Sequence, residues 1–168
     1  MRFLRGLFLL TVFVLAIAVG WYYIGHRTSS SVSNGTVTVY YTKYDGTTEV
    51  PYSVTLGTAR DVQSIAFYAA TQAVAGPPQE IQAIRFPAGT HLLSLDVRDG
   101  TATVDLSGDV NKYGGGSFDE AGMFKSLVWT LTAVHGINAV SIRVDGSRVA
   151  TLPGGHLELD EPLSRSSW

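Results

Sequence analysis

The sequence predicts an α+β fold, a mixed or antiparallel sheet with two helices packed on one face, and three observations carry that prediction. Apolar and polar residues alternate with period two in several short stretches rich in β-branched and aromatic side chains. Asp-Gly pairs at Asp99-Gly100 and Asp145-Gly146 mark tight turns between such stretches. Two amphipathic helical segments, each ending in glycine, fall between strand pairs without strict βα alternation, which favours helices gathered on one side of a sheet.

Each element follows in order. Thr36 to Thr42, Thr-Val-Thr-Val-Tyr-Tyr-Thr, is the first strand. A turn-prone Asp45-Gly46 leads to a weaker strand, Glu49 to Leu56, in which Pro51 points to a sheet edge because proline cannot donate to a ladder. Thr58 with Asp61 forms a helix-start signature, and Val62, Ile65, Ala66, Ala69 and Ala73 share one face until Gly76-Pro77-Pro78 ends the helix. Leu92 to Arg98 and Thr101 to Leu106 flank Asp99-Gly100 and make a hairpin, since both central residues of such a turn need positive φ.

Ser117 with Glu120 reads as a capping pair for a second helix. Its stripe is Phe124, Leu127, Val128, Leu131 and Val134, and Gly136 is its stop. Val140, Ile142 and Val144 alternate into Asp145-Gly146, and a tail follows through Pro153-Gly154-Gly155 and Leu157 to Leu163. The expected order is ββαββαβ with a tail.

Composition sets outer limits. Of 168 residues, 12 are Lys or Arg and 14 are Asp or Glu, a formal charge of −2 with no basic block, so no long-range field attracts nucleic acid. Cysteine is absent, which excludes disulfides, thiolate metal sites, a catalytic thiol and a lipidated N-terminal cysteine.

The N-terminus indicates export. Gly6 to Ile24 carries no charge, and at about 1.5 Å per residue the run approaches the ~30 Å of bilayer hydrocarbon. Arg2 and Arg5 precede it and Arg27 alone follows closely, so the positive-inside rule places the remainder of the chain outside. Trp21, Tyr22 and Tyr23 suit an aromatic belt and favour an uncleaved anchor, while Ala16-Ile17-Ala18 has the small-x-small form of a cleavage site and supplies the competing reading. The organisation expected is an anchor over residues 1–27, a Ser-rich tether over 28–35 and one folded domain over 36–165.

Several segments, in their order, resemble the GerMN domain family. They are Ala73-Val74-Ala75-Gly76-Pro77, Phe86-Pro87-Ala88-Gly89-Thr90, Asp99-Gly100 through Val104-Asp105-Leu106-Ser107, the Gly116-Ser117-x-x-Glu120 helix start, Leu127 to Thr132, and Val144-Asp145-Gly146. Pro153-Gly154-Gly155 with Pro162-Leu163-Ser164-Arg165 resembles a tail found on such domains. The likeness covers roughly Thr36 to Arg165, and the order of the motifs carries it. It implies a non-catalytic domain, similar to the ring-building folds of secretion systems, at the outer face of the cytoplasmic membrane, acting through protein contacts in envelope or sporulation- and germination-type assembly. Oligomer formation and contact with peptidoglycan are further expectations. Many relatives are lipoproteins and the namesake carries two copies, whereas this chain has no cysteine and one copy.

Residues with chemical potential have structural accounts. Gly114-Gly115-Gly116-Ser117 opens a helix, where free N–H groups attract anions, but no lysine follows in the phosphate-loop position. Asp109, Asn111, Gly114 and Glu120 match four positions of a calcium-loop spacing, against which stand Tyr113 at an oxygen-ligand position and the capping role of Glu120. The four histidines, His26, His91, His135 and His156, include no helical i, i+4 pair. Ser117 has no sequence-evident base, and Asp119-Glu120 and Asp160-Glu161 read as a helix start and a solvated turn before they read as glycosidase carboxylates. No catalytic, cofactor-binding or metal-binding residue is assigned.

Trp129 lies about 100° from Val128 around the helix, at the border of the apolar stripe, so it either seals the core's edge or stands partly exposed as a contact residue. Tyr40, Tyr41 and Tyr44 cluster near the first strand. Tyr40 and Trp129 are therefore the candidate interaction surface; Asp99, Gly100, Ser117, Glu120, Gly136, Asp145 and Gly146 are structural. A membrane-tethered interaction module is the first reading, a glycan-binding module using exposed aromatics the second, and an envelope hydrolase the third.

Overall fold

The computed structural model describes residues 35–168. The expected span over residues 6–24, the tether and the cleavage-like site all lie outside the described residues. Among the described residues no helix is long and apolar enough to cross a membrane.

Strands β1 (Thr36–Thr42) and β2 (Glu49–Thr55) form an antiparallel hairpin, and helix α1 (Val62–Ala75) follows. Strands β3 (Leu92–Arg98) and β4 (Thr101–Leu106) form the second hairpin, then come helix α2 (Ser117–Leu131), β5 (Ala139–Val144) and the two-residue β6 (Ser147–Arg148). The α+β class and both helices stand as the sequence predicts. Asp99-Gly100 and Asp145-Gly146 adopt the paired positive φ that tight hairpin turns require, 49° with 77° and 47° with 76°.

The strands divide between two sheets. One is β1-β2 and the other runs β3-β4-β5-β6, with β4 and β5 parallel and the remaining pairs antiparallel. The reason is visible at the edges that might have joined them. Along β1, the Tyr40 N–H donates to Thr130 Oγ1 of α2 at 2.8 Å, and the Thr42 carbonyl accepts the Ile84 N–H at 2.8 Å. Along β3, the Gln63 side-chain amide of α1 donates to the Leu95 carbonyl while its oxygen accepts the Val97 N–H at 3.0 Å, so a carboxamide stands where a neighbouring strand would. Both facing edges are closed by side chains or loops.

One core lies between these layers. Val39, Ala66, Ala69, Ala70, Val104, Phe124, Leu127, Val128 and Leu131 are fully buried, and the expected α2 stripe is buried throughout. On α1 the buried row is alanine-rich, Ala66, Ala69, Ala70 and Ala73 with Val74, while Val62 is exposed. Small side chains there let the helix approach closely.

Three expectations about helix ends are corrected. Helix α1 is capped by Asp61, whose carboxylate accepts the Ser64 N–H at 2.9 Å while Ser64 Oγ accepts the Asp61 N–H at 3.3 Å; Thr58 takes no part. Helix α2 has Gly116 as its N-cap, and Asp119, not Glu120, reaches back to the Gly116 N–H at 3.3 Å; Ser117 is already helical and exposed. Helix α2 stops at Leu131, where Thr132 Oγ1 donates to the Val128 carbonyl at 2.7 Å, and Gly136, with φ of 90°, turns the connection towards β5.

Candidate contact surface

Tyr40 and Trp129, far apart in the chain, are brought together by Arg165, which the sequence marks only as part of the tail and not as a contact residue. The Arg165 guanidinium carbon lies 5.7 Å from the Tyr40 ring centroid and 5.5 Å from that of Trp129. Its orientation is fixed, because Nε donates to Thr132 Oγ1 at 2.9 Å and Nη2 to the Trp129 carbonyl at 3.2 Å. A cation held over aromatic rings contributes about 0.5–1 kcal/mol when solvated and more when dry.

Trp129 has two further neighbours. The Lys125 ammonium lies 5.2 Å from its ring, and Trp168 meets it edge-on at 5.5 Å between centroids. Trp129 thus seals the border of the core and keeps a half-buried ring in a cluster at the surface, so the two readings of this residue describe its two sides.

The tail reaches Trp129 because it is anchored upstream. Val140 and Leu163 exchange both backbone hydrogen bonds at 2.8 Å, and Leu152, Leu159 and Leu163 are buried. Glu120 supplies another fastening. It is fully buried, and its Oε2 accepts the N–H groups of His156 at 2.6 Å and Leu157 at 3.3 Å. A Cβ at Gly155 would collide with the same carboxylate, so this position needs glycine for space. Glu120 is therefore a clasp for the tail, which corrects its assignment as a helix cap. The physical reason is that Tyr113, whose hydroxyl accepts the Glu120 N–H at 2.9 Å, and Asp119 already serve the helix start.

Below the cluster lies a polar seam. Lys125 Nζ is 3.3 Å from Glu49 Oε1 and donates to the Thr47 carbonyl at 3.2 Å, and Thr42 Oγ1 sits within 2.9 Å of the Gly122 carbonyl and 3.0 Å of Glu49 Oε2. Burial pushes the Glu49 carboxyl above its ordinary range, against the opposing pull of Thr42 and Lys125. At the hairpin tip, Asp45 accepts from the Thr48 hydroxyl at 2.7 Å and from the N–H groups of Thr47 and Thr48 at 2.8 Å, which holds its carboxyl well below the usual range.

The remaining sequence candidates stay apart. Asp109 is paired with Lys112 at 2.5 Å, and Glu120 is committed to the tail, so the calcium-like spacing does not close around a centre. Among the described residues no group of three or more His, Asp or Glu side chains gathers. Asp105 accepts the Gly146 N–H at 2.9 Å and Asp145 accepts the Gly108 N–H at 2.9 Å, turn-fastening roles for both.

Comparison with known proteins follows the same outline. Residues 38–150 match the family model described as "Germane: Sporulation and spore germination". The spore germination protein GerM of Bacillus subtilis (strain 168) is 34% identical over 95 residues, which is 54% of this chain and 25% of GerM; the chain thus matches about a quarter of that relative's length. Among solved structures, the first GerMN domain of GerM from Bacillus subtilis superposes with a TM-score of 0.62 at 26% identity, covering 79% of this chain and 98% of that domain. The tandem GerMN domains of the same protein give 0.63 at 25% identity, over 80% of this chain and 47% of theirs. A Clostridium perfringens protein described as a candidate lipoprotein shares the fold, with a TM-score of 0.57 at 21% identity over 82% of this chain and 91% of that one.

Proposed function

The chain belongs to the Germane family of sporulation and spore germination domains, and on that premise we propose that its folded part is a non-catalytic contact module held at the outer face of the cytoplasmic membrane. In this reading residues 6–24 are the anchor, the partner is another envelope protein, and the process is an assembly of the sporulation or germination type. The observation that carries it is the Arg165 cluster. An arginine oriented by two hydrogen bonds between a tyrosine and a tryptophan, with Lys125 and Trp168 beside them, has the aromatic and arginine composition of binding hot spots.

The experiment replaces Arg165, Tyr40 and Trp129 singly by Ala in the full-length chain, and separately Asp105, Asp119 and His156 by Asn, with folding verified each time. The aromatic and arginine variants are expected to lose in-cell crosslinks to the partner and the sporulation or germination phenotype, and the others to retain both. Loss of function from a folded carboxylate or histidine variant, with the cluster variants active, would point to catalysis. Retained sedimentation with purified peptidoglycan that depends on Trp129 and Trp168 would favour the glycan-binding reading. Protease added to intact protoplasts should digest the domain, and protection would refute the external topology.

A further inference from the structure

We propose that the outer edge of β2 is a docking strand, which takes up an extended, uncharged segment of another envelope protein whose apolar residues alternate with polar ones. The inference rests on the contact-module reading and names where and how contact is made.

The register decides which backbone groups are free. Lys43 donates to the Thr48 carbonyl at 2.9 Å and Leu56 to the Gly35 carbonyl at 2.8 Å, and the pairs between them, Val37 with Val54, Val39 with Tyr52 and Tyr41 with Val50, have the same parity. Those residues therefore turn their N–H and C=O groups inward across the hairpin, and the intervening Glu49, Pro51, Ser53 and Thr55 turn theirs to the outer edge of β2. Pro51 fits this assignment, because proline lacks the N–H that only an outward position can do without.

Other edges are occupied. Thr130 and Ile84 close β1, Gln63 closes β3, and β5 carries β6 at one end and Leu163 at the other. Among the described residues no group bonds the outward backbone of Ser53 or Thr55. Natural edges are commonly guarded by lysine or glutamate, but from Pro51 to Thr55 the strand has no charge, and Pro51 is its single guard.

Side chains state the partner's chemistry. Val50, Tyr52 and Val54 share a face with the buried Val37, Val39 and Tyr41, yet Tyr52 remains 42% exposed and its ring is 6.4 Å from that of Tyr41. A strand added at the edge would set every second side chain beside this row and continue the apolar layer. Charged side chains at those positions would be desolvated with nothing here to pair them. Main-chain bonding would run over the Ser53 and Thr55 N–H groups and the Pro51, Ser53 and Thr55 carbonyls.

The test uses the full-length chain in its own cells, with a photo-crosslinking residue at position 53 or 55 and, in parallel, at positions 40 and 129. Ser53→Pro and Thr55→Pro remove an outward donor without touching the pairing to β1, as Pro51 already does, and melting temperature verifies their folding. Thr55-position adducts that map by mass spectrometry to an alternating apolar segment of another protein, and that fall at least about fivefold in Ser53→Pro for one lost main-chain hydrogen bond, are expected. Adducts at 40 and 129 but not at 53 or 55 would overturn the docking strand and leave the contact module standing. Adducts within the same chain or to a second copy would overturn it too, whereas no adduct at any position would count against both readings. Hydrogen exchange of the purified chain gives an independent check: Ser53 and Thr55 amides should exchange at least roughly tenfold faster than Tyr52 and Val54, and equal protection would refute the register.

Discussion

The buried Glu120 carboxylate accepts the His156 N–H at 2.6 Å and so ties the first turn of α2 to a tail segment 36 residues further along the chain. Among the described residues its other oxygen has no hydrogen-bond partner, and Gly155 lies directly over it. A buried acid in this position holds a loop through main-chain donors, which an alternative side chain can satisfy only if it brings an acceptor to the same place.

Glu120→Ala should therefore cost about 1–3 kcal/mol by leaving two part-buried N–H groups without their acceptor, and Glu120→Gln less, because its carbonyl can still accept. Urea unfolding measures the loss. Limited proteolysis should show cleavage near Gly154 rising in the Ala variant before global unfolding does. Equal stability of Ala and Gln variants would mean that the clasp contributes nothing.

At the helix starts the expectation follows the observed caps. Ser117→Ala should change stability by less than about 0.5 kcal/mol, because Ser117 is exposed and makes no capping bond. Asp61→Ala should lower the melting temperature, since it removes the carboxylate that accepts the Ser64 N–H at the helix start. Leu127→Ala, within the core, should cost about 2–5 kcal/mol.

Gln63 closes the β3 edge, so Gln63→Ala should cost about 0.5–1.5 kcal/mol and also expose a strand edge. Sedimentation velocity across a concentration series should show stronger self-association than in the unsubstituted chain. Unchanged association together with unchanged stability would show that the carboxamide is not guarding the edge.

Two carboxyls of the first hairpin should respond to pH with opposite sign. Glu49 is shifted upward by burial, so its contribution is fully present below the unfolded value near pH 4.3 and is lost as pH rises through the folded value. Asp45 is shifted downward by its Thr48 and Thr47 hydrogen bonds, so its contribution is present above the unfolded value near pH 3.9 and is lost as pH falls. In urea unfolding from about pH 3.5 to 7, the advantage of the unsubstituted chain over Glu49→Gln should shrink with rising pH. Its advantage over Asp45→Asn should grow.

The sequence by itself determined the elements whose causes are local. Period-two alternation placed β1 and β5, the Asp99-Gly100 turn with its need for paired positive φ placed β3 and β4, and the apolar stripe of α2 named its buried face, because each depends on residues a few positions apart. Tertiary structure alone decided the rest. Glu120 has the spacing of a cap and became a clasp, since Asp119 and Tyr113 reached the helix start first. Gln63 on an exposed helix turn became a strand guard, and this separated two sheets that alternation could not tell apart. Arg165 joined Tyr40 to Trp129 only after Leu163 had paired with Val140 and carried the tail back across the fold. A side chain's partner across the chain is fixed by packing geometry, and no spacing within the sequence encodes that geometry.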